Sequence, residues 1–465
     1  MTGETDPSKL TEAQKDALIR ILTAELRSLS ERMKALETEN AALRQRLNLP
    51  PKTPQNSSTP PAQGHKPSSA PHKSGRDKGH PGAARALHPN PTRQQAVTAL
   101  RCQHCQADVS GQPQAVVHAY DRIELPEIKP DVTRVMLHGG TCPCCARRFK
   151  AAPPVGLQPG SPFGPNLRAF VVYLRFVQAI SFERLARLMS DLLGLEISEG
   201  ALANMLNDSG AAFARQAGLI RQELLSGTTL QSDETSMRVG KCNWWNWVFH
   251  HDDSAYFMIR PSRGRQVVEE FLGDVRPDFW VSDRLAAQMG WAKRDQQVCL
   301  AHLLRDTQYA VDAGDTRFAP GLGKLLRQAV GIGQRRDQLA DATLRSYAGK
   351  LERSLNALLR TMPANQAGEK LQRVIKRFRR HLFVFVTNRA LPATNNGSER
   401  ALRPCVTFRK VTNCFRSQWG ADLYANARSV IETARRRTVG AFEAIRLALN
   451  GQTIPRPEPI PQPSG

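Results

Sequence analysis

The chain has 465 residues, and 65 lysines and arginines against 42 acids give it a formal charge of +23. That excess points to a polyanionic partner, nucleic acid before a membrane surface. A run of about eighteen apolar residues, the minimum for a membrane-spanning helix, does not occur, and the polar start MTGETDPSKLTEAQKD does not read as a signal peptide. Nine cysteines are too few for a disulfide scaffold, so the expectation is a soluble, cytoplasmic protein with reduced thiols.

Residues 1–49 read as a zipper. Ile19, Leu26, Met33, Asn40 and Leu47 recur every seven residues, and Leu22, Leu29, Leu36 and Leu43 follow the first four by three. These are a and d positions of a coiled coil, with Asn40 at an a position where a buried amide fixes register in a parallel dimer. A homodimer through this segment is expected; the alternative is a helix packed on its own chain. Residues 50–99 are rich in Pro, Ser, Gly and Lys, with Asp77 as the one acid before residue 96. They predict a disordered basic linker able to touch phosphates, or only a passive tether.

Residues 100–152 carry Cys102-x-x-Cys105 and Cys142-x-x-Cys145, with Cys144 spare. Two such pairs can supply four thiolates to one structural Zn2+, each tight turn presenting a pair. The alternating stretch between them predicts short strands and a zinc ribbon. Redox or merely structural cysteines are the alternatives, and Cys144 competes for the fourth ligand position.

Residues 160–226 read as helical. Ser181 can cap a helix over 182–193 that Gly194 ends, and Ser198 can cap a second over 199–208. The pair predicts a helix-turn-helix-like DNA reader or a plain helical hairpin. From 228 the pattern turns to short strands (TTLQSDETS, WWNWVFHH, AYFMIRPS), then a helix, a strand DFWVSD and further alternation. A mixed α/β domain over 228–449 follows, with a basic helical insertion at about 303–390 and a disordered tail over 450–465.

Asp233 and Asp283 are expected at strand ends, where neighbouring carboxylates can share divalent cations for phosphoryl transfer. Oxygen ligands suit Mg2+, with Mn2+ as a substitute. Glu399 is the candidate third carboxylate, set among Arg400, Arg403, Arg409 and Lys410, which can hold phosphates. Glu234, Asp252 and Asp253 compete, each with a solvated surface charge as the plainer reading. His302, in Cys299-x-x-His302, is expected to contact phosphate or a carboxylate beside the site rather than bind metal. Trp247 and Trp244 should face opposite to Trp245, as core packing.

The motifs SDET (232–235), VSD (281–283), CLAHLLRD (299–306), NNGSERALRP (395–404), RK (409–410) and ARSVIETARR (427–436) resemble those of the insertion-sequence-66 family of DDE-class transposases. The zipper, the linker with GRDKGHPG (75–82) and the cysteine pairs stand in that family's order. Two departures touch subfamily: RLAAQMG follows the second Asp, and Phe408 precedes RK where glycine is common. The resemblance implies an RNase H-like catalytic domain with Asp233, Asp283 and Glu399 holding two Mg2+. It implies cleavage and joining of double-stranded DNA at terminal inverted repeats, with accessory element-encoded proteins as further partners. A catalytically inactive, zinc-containing DNA-binding regulator is the alternative.

Overall fold

In the computed structural model the described residues are 11–47, 49–50, 52–53, 56, 85–251 and 253–456. GRDKGHPG, Asp252, the end of the tail and the side chains of Asn40, Leu43 and Leu47 lie outside them. The chain divides into two compact units, residues 66–159 with 186–197, and the remainder.

The N-terminal helix α1 (Glu12–Leu47) is continuous. Its Ile19, Leu22, Leu26, Leu29, Met33 and Leu36 are all exposed, so over these positions the a/d face has no cover among the described residues. In the smaller unit the two cysteine pairs fold alike. Cys102 N–H donates to Ala107 O at 2.9 Å and Gln106 N–H to Cys102 O at 3.0 Å. Cys142 N–H to Arg147 O and Ala146 N–H to Cys142 O, both 2.9 Å, repeat that turn. Gln106 and Ala146 take the same left-handed conformation, φ 61° and 55°. The hairpin β1 (Gly139–Thr141) and β2 (Arg148–Lys150) flanks the second turn. A Cβ at Gly139 would lie 2.4 Å from Phe149 O, so the hairpin requires glycine there. The strands expected between the pairs do not form: residues 113–138 carry no strand, and Val117, Tyr120, Leu125 and Val132 are exposed. Alternation makes a strand only where one face has something to pack on.

In the larger unit, α2 (Pro165–Phe176) leads toward α3 (Phe182–Leu193), whose last residues belong to the smaller unit. Gly194 ends α3 at φ 61°, and Ser198 Oγ caps α4 (Glu199–Asp208) by accepting from Ala201 N–H at 3.2 Å. Both boundaries match expectation because both are set by local chemistry. After α5 (Gly210–Ser226) comes a hairpin, β3 (Thr229–Val239) and β4 (Cys242–His250), turned at Gly240 with φ 59°. β5 (Ala255–Arg260), α6 (Arg265–Leu272), β6 (Phe279–Ser282) and β7 (Asp295–Val298) complete a five-stranded sheet of order β5-β4-β3-β6-β7. β3, β4 and β5 are antiparallel, whereas β6 and β7 run parallel to β3.

Alternation along β4 divides the core and corrects one expectation: Trp245 and Trp247, two residues apart in unbroken pairing, share a face, and Trp244 takes the other. Trp247 and Phe249 stack toward Phe271 of α6, and Trp280 of β6 meets Phe249 edge-on. His250, two registers from Val248, faces the other way, toward α12 (Asn396–Thr412). On that side Phe176, Phe408, Phe415 and Tyr424 form an aromatic cluster. Phe408, the departure before RK, is therefore a core residue, 1% exposed. Buried Arg175 lies 4.6 Å from the Phe182 ring and 5.0 Å from the Phe408 ring. The helical insertion begins slightly earlier than expected, with α7 (Leu300–Asp312), and continues through α8 (Ala319–Arg335), α9 (Asp341–Leu358), α10 (Gln366–Phe378) and α11 (Val384–Thr387). Its apolar faces close on one another and on Val281 and Val298 of the sheet.

The edge of β5 is finished by hydroxyls. α13 (Gln418–Arg436) lies along it, and Ser429 Oγ accepts from Phe257 N–H at 2.8 Å while Thr433 Oγ1 accepts from Ala255 N–H at 3.1 Å. One turn apart on the helix, these two side chains stand where a sixth strand would; α14 (Ala441–Leu449) follows. Ser429→Ala should leave the buried Phe257 N–H without its acceptor and cost about 1–3 kcal/mol in urea unfolding. An unchanged unfolding midpoint would contradict this role for the hydroxyl.

Candidate active site

Asp233 does not end its strand, as expected, but stands inside β3, because the β4 hairpin extends β3 to Val239. The parallel ladder to β6 stops at Gln231–Val281, so Asp233 sits just past it, and Asp283 follows the last residue of β6. A sheet of this order opens a crevice where the parallel ladder ends. The two aspartates meet there. Asp233 Oδ1 accepts from Glu234 N–H at 2.9 Å, and Asp283 Oδ1 accepts from Leu285 N–H at 2.8 Å.

The third acid brought to them is Glu234. Oxygens of Asp233, Glu234 and Asp283 lie within 4.8 Å of one another, the one such group among the described residues. The cysteine pairs are not gathered to that distance. Glu234 is no solvated charge: its side chain is 1% exposed and held by Arg263 Nε at 2.7 Å and by Gln288 Nε2. Arg263 in turn lies 4.7 Å from the Trp245 ring. The sequence contained the residue, but not its burial, which depends on Arg263 and Gln288 from later in the chain.

Burial raises Asp233 well above the ordinary carboxylate range, and Glu234, Asp283 and Glu399 add to the rise. Burial also pushes Glu234 to about 7, with Asp283 raising it and Arg263 and Gln288 opposing. With Arg263 the one cation paired to it among the described residues, such a cluster is short of positive charge; a divalent cation would supply it.

Glu399 approaches from α12. It is outside the close cluster and is paired with Arg305 Nη2 at 2.8 Å, with His302 Nε2 at 3.9 Å. His302 is thus beside a carboxylate, as expected, and burial followed by Arg305 lowers its pKa. From the N-cap of α7 onward, residues 299, 302 and 305 recur every three positions, so CLAHLLRD presents Cys299, His302 and Arg305 from one side toward α12 and its N-cap Asn395. Asp306 pairs with Arg284, beside Asp283.

A cavity of about 870 Å³ opens beside Glu399, lined by Arg305, Arg336, Arg389, Arg400, Arg403 and Arg436 among others. Arg403 faces it as its i, i+4 spacing from Glu399 predicts. The helical step of about 100° per residue turns Arg400 off the Glu399–Arg403 face, yet it lines the cavity too, because the cavity wraps around the first turns of α12. Several of these arginines are already engaged: Arg336 Nη1 donates to Phe385 O at 2.7 Å, and Arg389 Nη2 to Asp341 at 2.8 Å. Arg409 is not in this lining; it ties α12 to β3 by donating to Ser236 Oγ at 2.7 Å and to Ser236 O. Lys410 is exposed beyond it.

The profile described as "Transposase IS66 family" matches residues 160–423, more than half of the chain, and the chain belongs to that family. A search of curated proteins finds no match. The family defines a transposase, and the acidic cluster lies within the matched region. No described helix is long and apolar enough to cross a membrane.

The raised carboxyls have a signed consequence. Between about pH 4.5 and 7 the folded chain keeps a proton on Glu234 that the unfolded chain has released, so stability falls as pH rises through this window. In chelator, urea unfolding should show this loss, with each such group contributing at most about 1.4 kcal/mol per pH unit. Glu234→Gln should flatten the profile in that window. Identical profiles for wild type and variant would contradict the placement of Glu234.

Proposed function

We propose that the protein cuts and joins double-stranded DNA at the ends of an insertion sequence, using Asp233, Asp283 and Glu399 as the catalytic carboxylates. The observation that carries this reading is the meeting of Asp233 and Asp283 where the parallel ladder ends, with Glu399 on the facing helix. The strand order, three antiparallel strands followed by two parallel ones, fits an RNase H-like domain over 228–449. The oxygen-only donor set, short of positive charge, fits Mg2+, with Mn2+ as a substitute. Asp233, Asp283 and Glu399 would hold such ions, which when bound would supply activation of the attacking oxygen and charge stabilisation of the leaving one.

The chain's own residues supply the rest. Asp233 and Asp283 hold their positions through backbone N–H donors, and Glu399 faces them across the crevice. Arg400 and Arg403 receive the scissile strand in the cavity, while His302 and Arg305 orient Glu399. Lys410 and Arg409 continue the basic surface along α12. Water is the nucleophile for cleavage and a 3′-hydroxyl for strand transfer.

The other segments prepare this reaction. Residues 1–49 pair two chains through the exposed face of α1, which supports a homodimer. Residues 50–99 are a basic linker, and 100–152 hold one structural Zn2+ on Cys102, Cys105, Cys142 and Cys145. The matching turns support that assignment: N–H groups of Cys105 and then His104 lower the Cys102 thiol, as those of Cys145 and then Cys144 lower Cys142. With α3 and α4 in residues 160–226, this ribbon reads the terminal repeats in the cytoplasm.

Asp233→Ala, Asp283→Ala and Glu399→Ala should each abolish Mg2+-dependent cleavage of an end-bearing duplex, with end binding kept within a few-fold. Substantial cleavage by any one variant removes that residue from the catalytic set. Elemental analysis of reduced protein should find about one zinc per chain, lost in Cys102→Ser or Cys142→Ser. Zinc-free wild type would refute the ribbon.

A further inference from the structure

Each of the three acids follows a serine, and all three serines are fully buried: Ser232 before Asp233, Ser282 before Asp283 and Ser398 before Glu399. One residue links them, Ser232 and Ser398 by its side chain and Ser282 through its backbone N–H and Cys299. Asn395, also fully buried, donates from Nδ2 to Ser232 O at 2.7 Å and accepts from Ser398 Oγ at 2.6 Å. Its backbone N–H donates to Cys299 Sγ at 3.1 Å, and Cys299 N–H donates to Ser282 O at 2.9 Å. Its carbonyl accepts from Ser398 N–H at 3.1 Å and Glu399 N–H at 3.3 Å, starting α12.

The donor sequence fixes a tautomer. Since Ser398 Oγ donates to Asn395, its remaining bond, 2.8 Å to His250 Nε2, has the imidazole as donor. Burial first, then Arg436, lowers the His250 pKa and favours the neutral ring, with the proton on Nε2 and Nδ1 without a partner among the described residues. Gly397 makes the approach passable: a Cβ there would lie 2.9 Å from His250 Cε1. The NNGSE motif therefore has a physical reading. Asn395 is the hub, Gly397 admits His250, and Ser398 joins the two.

We propose that Asn395 is a positioning residue that sets the distances among Asp233, Asp283 and Glu399, with Ser398, Cys299 and His250 as its supports. This deepens the reading of Glu399 as a metal carboxylate and rests on it. A buried network of this kind is stiff only when every member is satisfied, and its loss is felt in the ligands it aims.

Calorimetric titration of the full chain with Mn2+ tests the proposal without relying on cleavage. Asn395→Ala and Ser398→Ala should weaken Mn2+ binding by about 10–100-fold, the usual effect of removing a group that orients a ligand. Cys299→Ala should weaken it too, whereas Cys299→Ser, which keeps an acceptor for the Asn395 N–H, should restore it. A purely structural role would lower the melting temperature of these variants and leave the affinity of the folded protein unchanged. That result, wild-type Mn2+ affinity in cooperatively folding Asn395→Ala and Ser398→Ala, overturns the proposal. Should Asn395→Ala fail to fold, Ser398→Ala and the Cys299 pair decide it. Glu399→Gln separates the two levels. If it weakens Mn2+ binding while Asn395→Ala does not, the hub alone is wrong; if it binds as wild type, Glu399 is no ligand and both readings fall.

Discussion

The repulsion between Asp233, Glu234 and Asp283 is the constraint around which the catalytic unit is built. Carboxylates this close and this sheltered cannot all be charged without a positive partner. The chain counters the repulsion only in part, through Arg263 and Gln288 on Glu234 and backbone N–H groups on the aspartates. The remainder appears as protons held above the ordinary range, and it is the remainder that a divalent cation would take up. The arginine-lined cavity opens beside Glu399, on the helix that also brings this acid near the two aspartates.

Holding that repulsion requires a rigid frame, and the sheet supplies it. The change from antiparallel to parallel pairing beside β3 places Asp233 and Asp283 at one level. Ser429 and Thr433 seal the β5 edge, while Phe408 and its aromatic neighbours fasten α12 over the sheet. Glu399 is thereby carried on an element braced from both ends, by Asn395 at its start and by Arg409 on Ser236 farther along. Its pairing with Arg305 keeps its charge balanced beside, but outside, the close cluster.

Much of this was legible in the sequence because it is local. Gly194 and Ser198 bound their helices through their own backbone and side-chain chemistry, and the α/β alternation after residue 228 follows from periodicity. The family motifs pointed to Asp233, Asp283 and Glu399 before any geometry. What could not be read depends on partners far along the chain. The burial of Glu234 needs Gln288, 54 residues on. The hub role of Asn395 needs Ser232, 163 residues back. Residues 113–138 show the converse error, in which alternation suggested strands where no partner surface covers them among the described residues.

Anomalous scattering from crystals of the full chain soaked in Mn2+ tests the central claim most directly. Metal peaks are expected between Asp233 and Asp283, within bonding distance of both, with Glu399 completing the coordination. Peaks bound by Glu234 in place of Glu399 would exchange the third ligand. No peak at the two aspartates in a crystal whose packing leaves the crevice open would contradict a metal site on these carboxylates.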